Sequence, residues 1–408
     1  MARRPFSLTA YLALARGSDR LTADAALWPA RPTGPVLWLH SDTRTRLETL
    51  LTLIKRLRLQ REDFFLLLTC DSIPAEGLSI EGYSVGPPPA ETLSDVHRFL
   101  DHWRPNILVW AGNGLRPALI HEAAMSGAHL LLTDAADAPW RQPSKRFLPD
   151  ASAGTLSLFH SILAQDKKAA MRMRRLGVTD DRIEVASPLE PEVFPLSSHD
   201  GLHEELTALL AGRPVWLGAY IQRDEADAVL RAHRRAARLA HRLLLVVVPA
   251  NPEDETFIAE HCQEIGLRLA RWENGDMPDE NTQVLLAGND SELGLWYRLA
   301  PLCFLGGSLA GKTGGQSPMM AAALGSAILY GPNVGRHLDS YSRLVAAGAA
   351  RIVKDMESLS AAVSHLIAPD RAAAMAHSGW NVVSAGAETA DLILVQINEW
   401  LDALEGAR

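Results

Sequence analysis

Short runs that are apolar at nearly every position alternate along the chain with longer stretches whose apolar residues recur at helical spacing. VLWLH, ending at His40, is of the first kind and reads as a parallel strand buried on both faces. The stretch Thr45 to Leu59 is of the second kind, with Leu47, Leu50, Leu51, Ile54 and Leu57 on one helical face, and FFLLLTC (Phe64 to Cys70) is the next strand. A helix over Val96 to Trp103, a strand over Ile107 to Gly112, a helix over Pro117 to Met125 and a strand over His129 to Ala135 continue the alternation. SLFHSILAQDKKAAMRMRRLGV predicts a buried stretch and a basic helix stopped at Gly177, followed by a short strand over Arg182 to Ser187.

After a Pro-rich break the pattern restarts with PVWLGAY (Pro214 to Tyr220), a long helix from Glu225 to Leu239, the strand LLLVVVPA and a helix around Asp254 to Gly266. Strands near Gln283 to Leu286, Leu302 to Leu305 and Ala327 to Tyr330 follow, and Ala385 to Leu404 is a last amphipathic helix. Two consecutive sets of this kind predict an α/β protein of two Rossmann-like, doubly wound domains, with ligands at strand C-termini and in a cleft between the halves. The expected boundaries are an N-terminal segment over 1–33, a first domain over 34–190, a linker over 191–212, a second domain over 213–384 and a C-terminal helix over 385–408 that crosses back to the first domain.

Composition agrees with two cores, since 408 residues exceed what one core holds and 47% are apolar. A net charge of -8 with acidic and basic residues interspersed argues against a nucleic-acid partner. Cys70, Cys262 and Cys303 show no zinc or redox spacing and suit a reducing cytoplasm, and no His, Asp or Glu cluster has ligand spacing, so neither a metal nor a cofactor is implied. No segment reaches the ~18 apolar residues that span a bilayer. Phe6, Leu8, Tyr11, Leu12 and Leu14 form an apolar helical face beside Arg3 and Arg4, suited either to a membrane surface or to the body of the protein.

The chemistry concentrates in FLGGSLAGKTGGQSPMMAAALGSAILYGP, Phe304 to Pro332. A strand ends in Gly306 and Gly307, and a second pair, Gly314 and Gly315, precedes Gln316, Ser317 and Pro318 at the start of an Ala-rich helix. Ser317 is expected to cap that helix with Pro318 at its first position, so that unsatisfied N–H groups face a glycine-floored gap suited to phosphate. Lys312 in the intervening loop is within reach of the same phosphate.

This segment resembles the donor-binding motif of the 3-deoxy-D-manno-octulosonic acid (Kdo) transferases, GGSL, a short loop, GGHNPLEPA and an apolar strand ending in GP. GPVLWLH, RFLDHWRPNILVW, LAQDKKAAMRMRRLGV, PVWLGAY, VVVPANPE and ELGLWYRLAPLCFLGGSL extend the resemblance in order from about Gly34 onward. It implies the glycosyltransferase-B arrangement and transfer of a sugar from a CMP-activated donor to a lipid A precursor in lipopolysaccharide synthesis, in the cytoplasm at the inner face of a bacterial inner membrane. Gly306, Gly307, Ser308, Gly314, Gly315, Gln316 and Ser317 are then expected to serve the donor phosphate, with Lys312 reaching it from a loop one residue longer than the family's, and Glu225, Glu292, Gly331 and Pro332 occupy positions that match the family.

The charged positions of the family pattern depart from it. The Glu expected as base falls on Arg46, and an arginine cannot accept a proton at neutral pH. The acidic pair of the family's ESELWP segment falls on Gly112 and Gly114, the ribose-binding Glu on Met320, and the basic residue of VPRHPE on Ala250. The GN-x-K element reads Ser187, Pro188 and Glu190. Asp42 is the replacement candidate for the base, its other role being to cap the helix that follows, while His40 is expected to be structural. The alternative to a transferase is a catalytically degenerate homologue that binds or regulates.

Overall fold

In this computed structural model, residues 6–15, 28–31, 33–72, 78–80, 83–142, 149–189, 200–288, 290–310 and 313–406 are described. The chain divides into two compact units, Met1–Glu192 with Ala385–Arg408, and Val193–Ser384.

The apolar runs of the first unit become strands because each can be buried on both faces. They are β1 Val36–Ser41, β2 Phe65–Cys70, β3 Leu78–Ile80, β4 Tyr83–Gly86, β5 Ile107–Ala111, β6 His129–Ala135, β7 Ser161–Ala164 and β8 Ile183–Val185. The sheet order is β3-β4-β2-β1-β5-β6-β7-β8, parallel except for the antiparallel β3–β4 pair at one edge. Around it stand α1 Phe6–Ala15, α2 Arg44–Gln60, α3 Leu93–Trp103, α4 Pro117–Met125, α5 Ser152–Leu156 and α6 Lys167–Arg175. Every residue of β1 is buried, as a central parallel strand requires. The buried stretch expected before the basic helix holds β7, too short to be read by periodicity, and α5 lies just ahead of it.

The second unit holds β9 Val215–Ile221, β10 Leu244–Pro249, β11 Leu269–Arg271, β12 Val284–Leu286, β13 Leu302–Leu305, β14 Ala327–Tyr330 and β15 Ala350–Ile352. They form one parallel sheet in the order β11-β12-β10-β9-β13-β14-β15. Its helices are α7 Asp200–Leu209, α8 Ala226–Ala237, α9 Glu255–Glu264, α10 Leu293–Leu299, α11 Met319–Ala323, α12 Leu338–Ala346, α13 Met356–Leu366 and α14 Pro369–Gly406. The expected linker therefore carries a helix, because Leu206 and Leu210 of that stretch are buried against Val215 and Trp296. α14 is 38 residues long, and its C-terminal part places Ile393, Leu394, Ile397 and Leu401 in the first unit's core beside Leu37, Leu39 and Leu131. Arg61 anchors that end through Asp402 at 2.7 Å and Glu405 at 2.9 Å.

The N-terminal helix uses its apolar face inside the first unit. Leu8, Tyr11, Leu12 and Ala15 are buried with Ala118 and Ala151, so these positions are not available to a lipid surface, whereas Leu14 is exposed. Arg3 and Arg4 lie outside the described residues, as does the Phe6 side chain. Among the described residues no helix is long and apolar enough to cross a membrane.

Beneath α1, Glu91 accepts the Ala118 N–H at 2.6 Å and the Tyr11 hydroxyl at 3.4 Å, and its second oxygen is buried without a partner. Burial raises this carboxyl from an ordinary 4.5 to about 7. The folded chain then binds the proton more tightly than the unfolded one, so the stability contributed by this group is present below about 4.5 and lost as the pH rises through about 7. Unfolding measured across that window is expected to show a decline that Glu91→Gln flattens. An equal decline in the variant would assign it to another group.

Candidate active site

The ends of two strands of the second unit, β9 and β13, converge on one carboxylate. Glu225, at the N-terminus of α8, is fully buried, and its oxygens only accept. One takes the Gly307 N–H at 2.6 Å and the Gln222 N–H at 3.4 Å, and the other takes Leu309 at 2.6 Å and Ala310 at 3.2 Å. Hydrogen bonds to a charged acceptor are worth about 1.5–3 kcal/mol each, so this clamp is a main determinant of the loop's shape. Gly306 donates to the Ala219 carbonyl at 2.8 Å, and a Cβ there would overlap the Tyr220 carbonyl. Tyr220 itself sits at φ +57°, a conformation that side chains seldom adopt and that persists where surrounding structure enforces it.

Ser308 is buried, its hydroxyl donating to Leu305 O and accepting the Gly331 N–H at 2.8 Å. A Cβ on Gly331 would overlap the Ser308 carbonyl, which accounts for the glycine of the GP pair; Pro332 beside it is exposed. The expectation that Gly306, Gly307 and Ser308 face a phosphate is thereby corrected for the groups that have partners. The Gly306 and Gly307 amides and the Ser308 hydroxyl are committed inside the unit, because a buried loop must satisfy its own polar groups.

The second glycine pair is the one left open. Gly314 and Gly315 have φ of +83° and +75°, and Gly315 donates to the Gly307 carbonyl at 3.0 Å. The N–H groups of Gly314, Gln316, Ser317 and Met319 have no carbonyl partner among the described residues. Ser317 is exposed and does not cap α11; Pro318 holds the N-cap position without a side-chain hydrogen bond. The helix is five residues long, so the donors available to an anion are individual N–H groups more than a summed dipole. Lys312 lies outside the described residues. Arg336, in the turn after β14, is exposed and runs along Gly314; the sequence reading overlooked it. Its only advance signal was a cation shortly after a strand ending in GP, at an edge where such sheets bind ligands.

Glu292 is the N-cap of α10 but caps nothing with its side chain, which instead accepts the Trp272 indole N–H at 2.5 Å. Trp272 in turn stands edge-on to the buried Trp296, with centroids 5.1 Å apart. The carboxylate thus orients a partly exposed ring.

At the C-terminal edge of the first unit's sheet, Asp42 is held on both oxygens. Arg46 donates to one at 2.7 Å and Arg141 to the other, and Arg46 also meets Asp134 at 3.3 Å. Asp134, at φ +55°, accepts the Leu189 N–H at 2.8 Å. A Cβ on Gly112, at φ +100°, would stand 2.9 Å from both Arg46 and Asp42, and one on Gly114 would stand 3.3 Å from Asp42. The helix α2 is capped by Thr43, which accepts the Arg46 N–H at 3.4 Å, and not by Asp42. Both Asp42 oxygens are already taken up by guanidinium groups, so the surroundings of Asp42 are those of a brace, not of a base. His40 is fully buried, packed at a 33° tilt against Trp110 and bonded to Thr69 at 2.9 Å, and burial holds its pKa well below the usual value, which matches a structural role.

Known proteins share both units. Residues 17–190 match the family model described as 3-Deoxy-D-manno-octulosonic-acid transferase (kdotransferase). The 3-deoxy-D-manno-octulosonic acid transferase of Bordetella pertussis is 26% identical over 391 residues, covering 91% of this chain and 89% of the relative. The chain is similar to the Kdo transferases. The Haemophilus influenzae Kdo transferase is 25% identical over 285 residues, and the match covers 68% of this chain and 66% of that protein. Acinetobacter baumannii MurG has the same fold, with a TM-score of 0.50 at 12% identity over 88% of this chain and 99% of its own.

Against the Kdo transferase pattern, the altered positions are not vacant. Arg46, Gly112 and Gly114 belong together, since the glycines clear the volume that the Asp42–Arg46 pair fills. Met320 packs on the second unit's core, and Ser187 offers its carbonyl to the Thr389 hydroxyl at 2.8 Å. Ala250 donates its N–H to the Ile221 carbonyl at 3.0 Å, and Glu190 lies outside the described residues.

Proposed function

We propose that this Kdo transferase homologue moves a sugar from a CMP-activated donor of the Kdo type to a hydroxyl of a lipid A precursor, as a glycosyltransferase of lipopolysaccharide biosynthesis at the inner face of a bacterial inner membrane. The observation that carries the reading is the Glu225 clamp, which holds the GGSL loop in place and presents the open N–H groups after it. Such groups stabilise the charge that develops on a departing phosphate, and being fixed in advance they need no reorganisation during the reaction. The similarity to 3-deoxy-D-manno-octulosonic acid transferases supports Kdo as the sugar moved.

The ion-paired state of Asp42 favours a second reading, a homologue that binds the donor without transferring it, because the acceptor hydroxyl then lacks its base. One assay separates the two. Purified protein given a CMP-activated Kdo and a lipid A precursor is expected to yield an acceptor heavier by one sugar, read by mass spectrometry. CMP binding without product would establish the second reading, and neither binding nor product would overturn both.

A further inference from the structure

The turn after β14 is fitted to the donor loop residue by residue. Asn333 donates its N–H to the Ser308 carbonyl at 2.8 Å and its side chain to the Leu309 carbonyl at 3.2 Å. Val334, buried, lies 3.0 Å from where a Cβ on Gly315 would stand. The Arg336 stem does the same over Gly314, with Cγ at 3.1 Å, Cδ at 3.4 Å and Nε at 3.6 Å from that position. A short turn closed by the His337 N–H on the Val334 carbonyl at 2.9 Å fixes where the stem begins. The two glycines are therefore the seat of this turn, and the arginine is laid across one of them.

Charge singles the same residue out. Among the described residues of 306–310, 313–318 and 331–337, Arg336 carries the only full charge, and no described carboxylate pairs with it. Burial, and after it the Arg336 charge, hold the neighbouring His337 below its usual pKa. A guanidinium whose stem rests on backbone loses little freedom on binding, and its planar fork matches two phosphate oxygens.

We infer that Arg336 is the cation that binds the phosphate of the nucleotide donor, placed there by its seat on Gly314, and that it discriminates CMP from the uncharged nucleoside. The assignment rests on the CMP-donor reading above. Calorimetric titration of the full chain with CMP and with cytidine tests it, in wild type, Arg336→Ala and Arg336→Lys. Arg336→Ala is expected to weaken CMP about 10–100-fold and to change cytidine by less than about twofold, with Arg336→Lys between. Where cytidine is too weak to register, the fall of CMP affinity with rising salt should be shallower in Arg336→Ala than in wild type. Equal CMP affinity in wild type and Arg336→Ala overturns the assignment and leaves the donor reading standing. An equal loss for cytidine, or an unchanged salt dependence, overturns it as well. Wild type that does not bind CMP overturns the donor reading and this assignment with it.

Discussion

Glu225→Gln is expected to weaken CMP binding at least about tenfold while the second unit still folds. The amide is nearly isosteric, so no cavity opens. Its nitrogen must nevertheless face either the Gly307 N–H or the Leu309 N–H, both of which sit 2.6 Å from a carboxylate oxygen. One tight bond becomes a donor facing a donor whichever way the amide turns. Losing a bond to a charged acceptor and leaving a buried donor unsatisfied together cost about 2–4 kcal/mol. For a unit of this size that lowers the melting temperature by about 4–16 °C. The binding loss follows because the Gly307 carbonyl receives both the Gly315 N–H and the Thr313 hydroxyl, each at 3.0 Å, so a displaced first glycine pair carries the second with it. Melting curves and CMP titration of the variant check both parts, and an unchanged CMP affinity would show that the loop's position does not govern the donor.

Arg46→Glu, which writes the family's acid back into its expected place, is expected to destabilise the first unit and not to raise transfer above the wild-type level. The new carboxylate would enter beside Asp42 and Asp134, whose side chains are 6% and 4% exposed, with Arg141 as the nearest remaining cation of the network. Breaking a fully buried pair costs about 3–5 kcal/mol, and because the Arg46 side chain is 31% exposed we expect about 2–3 kcal/mol here. Adding Asp42→Asn removes the nearest repulsion and should recover part of that loss. Denaturant melts of the single and double variants, read beside the mass-shift assay, test this. A single variant as stable as wild type with higher turnover would show that Arg46 blocks a site that is otherwise intact.

Most of the strand and helix succession is readable in the sequence alone. VLWLH, FFLLLTC and LLLVVVP are buried on both faces of their sheets, and a run without polar positions has no other stable place in a soluble domain. Among the strands of three or four residues, β3, β4, β7, β11 and β15 were not read, since so short a run carries no usable period, while β8 and β12 to β14 were read from their place in the alternation. The helix over 200–209 was read as linker because its apolar positions make sense only against β9 and α10. At the donor loop the four glycines were legible as a place where backbone approaches backbone. Which of their N–H groups remained available was not.

By itself the sequence determined the two alternating sets, the resemblance to the Kdo transferases, the glycine pairs and the arginine at position 46. Those are properties of neighbouring residues, where burial and backbone freedom act over a few positions. Tertiary structure alone decided that Glu225 is a clamp, that Asp42 is a brace and that Arg336 lies on Gly314. The clamp joins residues 82 positions apart and the brace joins residues 99 apart. A parallel sheet gathers the C-terminal ends of distant strands along one edge, so which charges meet there depends on strand order. Charged side chains of the same type then become ligand, brace or clamp according to how many donors and acceptors that edge brings within reach.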